Sequence, residues 1–149
     1  MTYTPRLKAD PTYLQALGQA FYNFTYLEWV VVCTIVKLSG NGFGSVPRGE
    51  PASAIARALS RAIADADPPL PPNLRRDLVK SDERYRDAIR VRNKLLHAHP
   101  YTAPSGHPQL GGGGFKWPLE NVHVAARMFE DAAIHGNQIL HEELPKVRP

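Results

Sequence analysis

Cysteine is nearly absent: Cys33 is the only one in 149 residues. No disulfide framework and no cysteine-built zinc site can be assembled from it, and a reducing cytosol is the expected compartment. Long apolar runs are lacking too. The longest, Trp29 to Val36, is closed by Glu28 and Lys37 and is far shorter than the ~20 residues of a membrane span. The first ten residues, M-T-Y-T-P-R-L-K-A-D, hold no apolar stretch of the kind a secretory signal needs, so none is expected. There is no nucleophile elbow, zinc finger or Walker motif. The glycine-rich segment Gly40 to Glu50 has neither a strand pattern before it nor a Lys-Ser/Thr after it, so it reads as a flexible connection rather than a phosphate cradle. Glu120-Asn121-Val122-His123 has the E-x-x-H spacing of di-iron bundles, but such sites need a second copy and two further glutamates, and no second copy exists.

What is present suits a single domain over residues 1–149, without a membrane partner. Hydrophobic residues make up 43%, and a chain of this size buries roughly 70% of its unfolded surface. The formal charge is +4 and the isoelectric point about 9.4, a mild basicity that permits a polyanionic partner.

Proline segments the chain. All 14 prolines fall outside residues 12–46, 52–67, 73–99 and 119–144. Because proline is excluded from helix interiors, these windows predict an all-α bundle of four main helices. The first starts with Asp10 as cap and Pro11 behind it, and ends at Gly40. Its stripe is Leu14, Leu17, Phe21, Phe24, Glu28, Val31, Ile35 and Leu38, spaced alternately by three and four. Glu28 is the exception in that stripe. It either snorkels from the stripe's edge or is a carboxylate held inside, facing a cation. A short second helix, about Pro51 to Asp65, presents Ile55, Leu59 and Ile63. The proline-rich linker after it is stiff, and Asn73 is expected to cap the third helix. The fourth, about Leu119 to Leu144, has Val122, Ala125, Phe129, Ala132, Gly136 and Ile139 inside, with Gly136 marking a close crossing. Residues from about 145 read as a loose tail.

The third helix carries the charge. From Asn73 to Lys94 there are eight basic and four acidic residues, an excess equal to the whole net charge. This is either a solvated face with i,i+4 pairs or a surface that tracks phosphates. Its stripe, Leu74, Leu78, Ser81, Tyr85, Ile89, Arg92 and Leu96, puts an arginine on the inward side, where it is costly unless paired or used. The helix closes on Val91 to Pro100, V-R-N-K-L-L-H-A-H-P. Asn93 and His97, four apart, share a face. Arg92 and His97, five apart, diverge by about 140° in a regular helix. Arg92 and His99 would share a face, but Pro100 disfavours helix at His99. Two copies meeting across a dyad would complete a site. His97-Ala98-His99 lacks a third obvious metal ligand, so no metal is assigned, and His107, His135 and His141 read as loop or surface residues. Residues 100–118 form a long loop or a small hairpin over the motif.

R-N-K-L-L-H resembles the signature of the HEPN family: arginine, four to six residues, then histidine, often with asparagine directly after the arginine. Both His97 and His99 fit the spacing, and His97 fits the R-N-x-x-x-H form. The four-helix pattern and Phe24-Thr25-Tyr26-Leu27-Glu28 are also similar to that family. The resemblance covers most of the chain by architecture and is specific over about ten residues. It implies a homodimeric, metal- and cofactor-independent endoribonuclease, of a kind often found as a toxin with an antitoxin partner or as a host-defence effector. Other members are non-catalytic binding or sensor modules. The residue types suit the chemistry. Cleavage through the RNA 2′-hydroxyl needs a base near neutral pH, an acid for the leaving 5′-oxygen and a cation for the phosphorane. Histidine titrates in that range, and the arginine fork fits phosphate. Arg92, Asn93 and His97 are thus the catalytic candidates, with His99, Glu28 and Asp87 as possible support. Arg90, Lys94, Tyr101 and Trp117 are candidate RNA contacts, the aromatics by stacking on bases or else by anchoring the loop.

Overall fold

The computed structural model describes residues 1–149. Four helices dominate: α1 (Pro11–Ser39), α2 (Ala52–Ala64), α3 (Pro72–Leu96) and α4 (Leu119–Gln138). The all-α expectation needs one correction. Residues after α3 form a small antiparallel sheet of β1 (His99–Thr102), β2 (Pro108–Gly112) and β3 (Phe115–Trp117), in the order β1-β2-β3. Residues 100–118, expected as a long loop or a small hairpin, owe this shape to their glycines. Gly113 and Gly114, at φ +60° and +79°, make the two-residue turn between β2 and β3, a double left-handed turn that matches strand twist. On β1 and β2, His99 lies opposite Gly111 and Tyr101 opposite Gln109. A Cβ at Gly111 would come within 2.7 Å of the Tyr101 ring, so this strand position must stay bare.

α1 begins as expected, Asp10 Oδ1 accepting from the Thr12 amide at 3.0 Å, and ends at Gly40 with φ +71°. Its inward face is rotated in the first half. Tyr13, Ala16, Ala20, Phe24 and Leu27 are buried, whereas Leu14 and Phe21 are 46% and 56% exposed. The reason lies in α4, the element against which α1 packs most extensively. Small side chains allow the two helices to approach, and polar anchors fix the rotation. Tyr13 Oη donates to the Trp117 carbonyl at 2.6 Å and accepts from the Leu110 amide at 3.0 Å. Asn23 Nδ2 donates to the Ala126 carbonyl at 3.0 Å. Further along, a Cβ at Gly136 of α4 would meet Val30 Cγ1 at 3.0 Å, the close crossing that the glycine marked.

Ile55, Leu59 and Ile63 of α2 are buried, as are all six expected inward residues of the fourth helix. α3 starts one residue before Asn73, with Pro72 at its first position. A proline there needs no amide partner and sets the helical φ itself, so Asn73 is not the cap, and its Oδ1 instead accepts from Arg76 at 3.1 Å. On α3, Leu74, Leu78, Ser81, Tyr85 and Ile89 are buried while Leu96 is exposed. α4 keeps regular geometry only to Gln138, followed by a π turn (Ile139–Glu143) and a short 3₁₀ turn (Leu144–Lys146). The tail is not loose. Leu144 is fully buried, and Arg148 Nη2 donates to the Pro68 carbonyl at 2.6 Å. No helix is long and apolar enough to cross a membrane.

Candidate functional site

Arg92 stands on the inward side of α3, half-buried, where its stripe position placed it. The guanidinium carbon lies 5.0 Å from the Phe24 ring centre, a cation–π seat on α1. Nη1 donates to Asn93 Oδ1 at 2.9 Å. Nε is buried and has no hydrogen-bond partner. The chain's three ion pairs are Arg86–Asp82, Arg90–Asp87 and Lys146–Glu143, so no carboxylate neutralises Arg92. Arg92 thus keeps its charge on an aromatic seat with no carboxylate paired to it.

Behind it sits Tyr85, two turns earlier on the same stripe and 0% exposed. Its hydroxyl donates to Glu28 Oε1 at 2.8 Å, and its ring stacks on Phe24 with centres 6.3 Å apart. Phe24 in turn meets Phe129 edge-on at 5.4 Å. Burial first, then the Glu28 charge and hydrogen bond, push the Tyr85 phenol far above its ordinary value, while the Arg92 charge pulls the other way. Glu28 therefore matches neither sequence reading in full. It is half-buried and bonded, but to a neutral phenol rather than a cation. It also borders a cavity of about 420 Å³ that Thr25, Trp29 and Arg48 share. Phe24 and Tyr85 are the members that sequence reasoning passed over as plain core. Their signal was present: Phe24 is four residues before Glu28, and Tyr85 is seven before Arg92 on one stripe.

Neither His97 nor His99 is hydrogen-bonded to Arg92 within the chain. His97 is the residue that closes α3, its amide donating to the Asn93 carbonyl at 3.0 Å. The imidazole is exposed and makes no hydrogen bond to Arg92 or Asn93. His99 has left the helix for β1, as Pro100 requires; its Nδ1 is 3.4 Å from the Pro100 carbonyl. Asp87 does not orient Arg92, because it is exposed and paired with Arg90. Lys94 Nζ lies 4.3 Å from the Phe115 ring centre. Tyr101 is half-buried, its hydroxyl accepting from Gln109 Nε2 at 2.5 Å. Trp117 is only 3% exposed. It anchors the sheet to the bundle and is not available for stacking on a base, because its β3 neighbour faces outward while its own side chain goes inward.

Two of the α3 cations pair within the helix, Arg86 with Asp82 and Arg90 with Asp87. Arg86 is structural, donating to Asp82 at 3.1 Å, to the Ala56 carbonyl at 3.1 Å and to Ser60 at 2.7 Å. His135, expected on the surface, is half-buried with Nδ1 unpartnered. Burial, then Arg84 and Lys80, lower its pKa. Those neighbours are in the first half of α3, away from the motif. No three His, Cys, Asp or Glu side chains converge to hold a metal. Comparisons with protein-family models, curated proteins and solved structures found no match to this chain.

Proposed function

We propose that the chain is a metal-independent endoribonuclease of HEPN type, working as a cytoplasmic homodimer and cleaving RNA by attack of its own 2′-hydroxyl. The observation that carries this reading is the state of Arg92: seated on Phe24, bonded to Asn93, free of any carboxylate and with Nε unspent. Such a group stabilises the negative charge that builds on the phosphorane oxygens in the transition state. His97, exposed at the end of the same helix, is the general base and acid. The two diverge on one chain, so a second copy supplies the complementary group across a dyad. An antitoxin protein is the partner that the resemblance suggests, in a toxin–antitoxin or host-defence setting.

A second reading is a non-catalytic dimeric HEPN-like module that binds RNA, a nucleotide or a partner protein. One observation favours it: no side chain orients the His97 ring, whereas a working base is normally held by a third group.

The test is cleavage of a structured RNA by wild type, Arg92→Ala and His97→Ala, with circular dichroism to check folding. Both variants should stay helical and lose about 10²–10⁴ in rate, His99→Ala should lose less, and the products should end in 2′,3′-cyclic phosphate and 5′-hydroxyl. If wild type and His97→Ala cut equally, or neither cuts, the nuclease reading falls. The binding reading then stands if the dimer retains RNA or nucleotide binding that depends on Arg92.

A further inference from the structure

The largest cavity is remote from Arg92. It is a groove of about 930 Å³ between the second half of α1 and the segment where α4 gives way to its π turn. Single-turn π segments interrupt helices often at functional sites, and this one brings Leu140 and His141 to the groove wall. The volume lies in the range of small-molecule pockets, roughly 300–1,000 Å³.

The lining is largely apolar along its length, from Tyr26, Trp29 and Val30 at the middle of α1 to Val36 and Val147. Both aromatics are exposed, and Trp29 also stacks on Phe43 with the Arg48 guanidinium over its ring. The cations Lys37 and Arg148 lie toward the end of α1 and the tail, and no aspartate or glutamate side chain lines the groove anywhere. Lys37 is half-buried and belongs to none of the chain's ion pairs. Arg148 spends two of its N–H groups on the carbonyls of Val147 and Pro68 but also meets no carboxylate.

We propose that this groove binds a medium-chain aliphatic monocarboxylate, its chain against Tyr26, Trp29 and Val30 and its carboxylate at Lys37 and Arg148. A neutral amphiphile would leave the unpaired lysine unused, and a cationic one would meet it with repulsion. The occupant is independent of the proposed nuclease activity.

The chain has two tryptophans. Trp29 lines the groove and Trp117 is buried in the core beneath the sheet, so emission from Trp29 reports occupancy. Titrating the full chain with decanoate below its micellar concentration should shift that emission with a Kd of micromolar order. The signal should vanish in Trp29→Phe, where amide chemical shifts at Cys33, Lys37 and Leu140 take over as the readout. Lys37→Gln should weaken decanoate about tenfold, as expected for losing a charge-assisted hydrogen bond, while leaving decanol binding unchanged. No binding by 1 mM decanoate on the order-of-magnitude affinity scale, equal binding in Lys37→Gln, or tighter binding of decyltrimethylammonium each overturns the proposal.

Discussion

Tyr85→Phe deletes one oxygen from the middle of the core and leaves the ring that stacks on Phe24. The oxygen's partner is the Glu28 carboxylate, 2.8 Å away. Hydrogen bonds to charged groups contribute about 1.5–3 kcal/mol. Glu28 is half-buried rather than sealed, so water recovers part of its solvation and the lower figure applies, about 1.5 kcal/mol. In a chain of this length, each kcal/mol moves Tm by about 2–4 °C, so the midpoint should fall by about 3–6 °C. The pH dependence gives an independent check. Burial and Glu28 raise the folded phenol above the ordinary value of 10.0. Stability from this group is fully present below that value. As pH rises past it, the unfolded chain loses the proton first and binds fewer protons than the folded one, so stability falls by about 1.4 kcal/mol per pH unit. The variant has no phenol to titrate, so its deficit should shrink between pH 10 and 11, both on the order of the cited reference value. Urea unfolding followed by circular dichroism, at neutral and alkaline pH, measures both effects. Adding Glu28→Leu closes a double-mutant cycle, in which the pair should couple by about 1 kcal/mol or more. Additivity within ~0.3 kcal/mol, together with an unchanged alkaline slope, would refute the bonded pair.

Three further outcomes are expected. Gly111→Ala should destabilise by about 1–3 kcal/mol, the usual cost of overpacking, because its methyl would sit 2.7 Å from Tyr101; a melt equal to wild type would show that the ring moves aside freely. Light scattering at micromolar concentration should give a dimer under the proposed function, and a strict monomer would remove the shared cleft on which it rests. Any nuclease activity should survive EDTA; loss on chelation and recovery with manganese would replace the proposed chemistry with metal-assisted hydrolysis.

Helix existence was legible because proline placement is a hard steric rule and the apolar period repeats many times. The inward faces of α2 and α4 followed directly. The first half of α1 did not, since Leu14 and Phe21 carry more apolar surface than Ala16 and Ala20. Hydrophobicity alone turns the larger side chains inward, whereas the helix crossing demands small ones and hydrogen bonds from Tyr13 and Asn23 fix the rotation. The sheet was half-hidden because it depends on one bare glycine, Gly111, over which the Tyr101 ring lies, and on two positive-φ glycines, and composition cannot distinguish those from a loop. At the site, the inward arginine was readable from its stripe. Its seat on Phe24, and the Tyr85–Glu28 bond behind it, join residues 57 or more positions apart, which no local pattern encodes.

The polar anchors on α1 have a bearing on synthesis. Tyr13 reaches a partner 104 residues later and Asn23 one 103 residues later. A ribosome releases the N-terminal half of α1 long before either partner exists, and long loops must be closed before such contacts reward the chain. Until α4 leaves the exit tunnel, α1 lacks its most extensive packing surface, and Phe24 lacks the Phe129 edge that backs it. The aromatic seat beneath Arg92 is therefore completed only once α4 joins, after α3 and its cation have already been made.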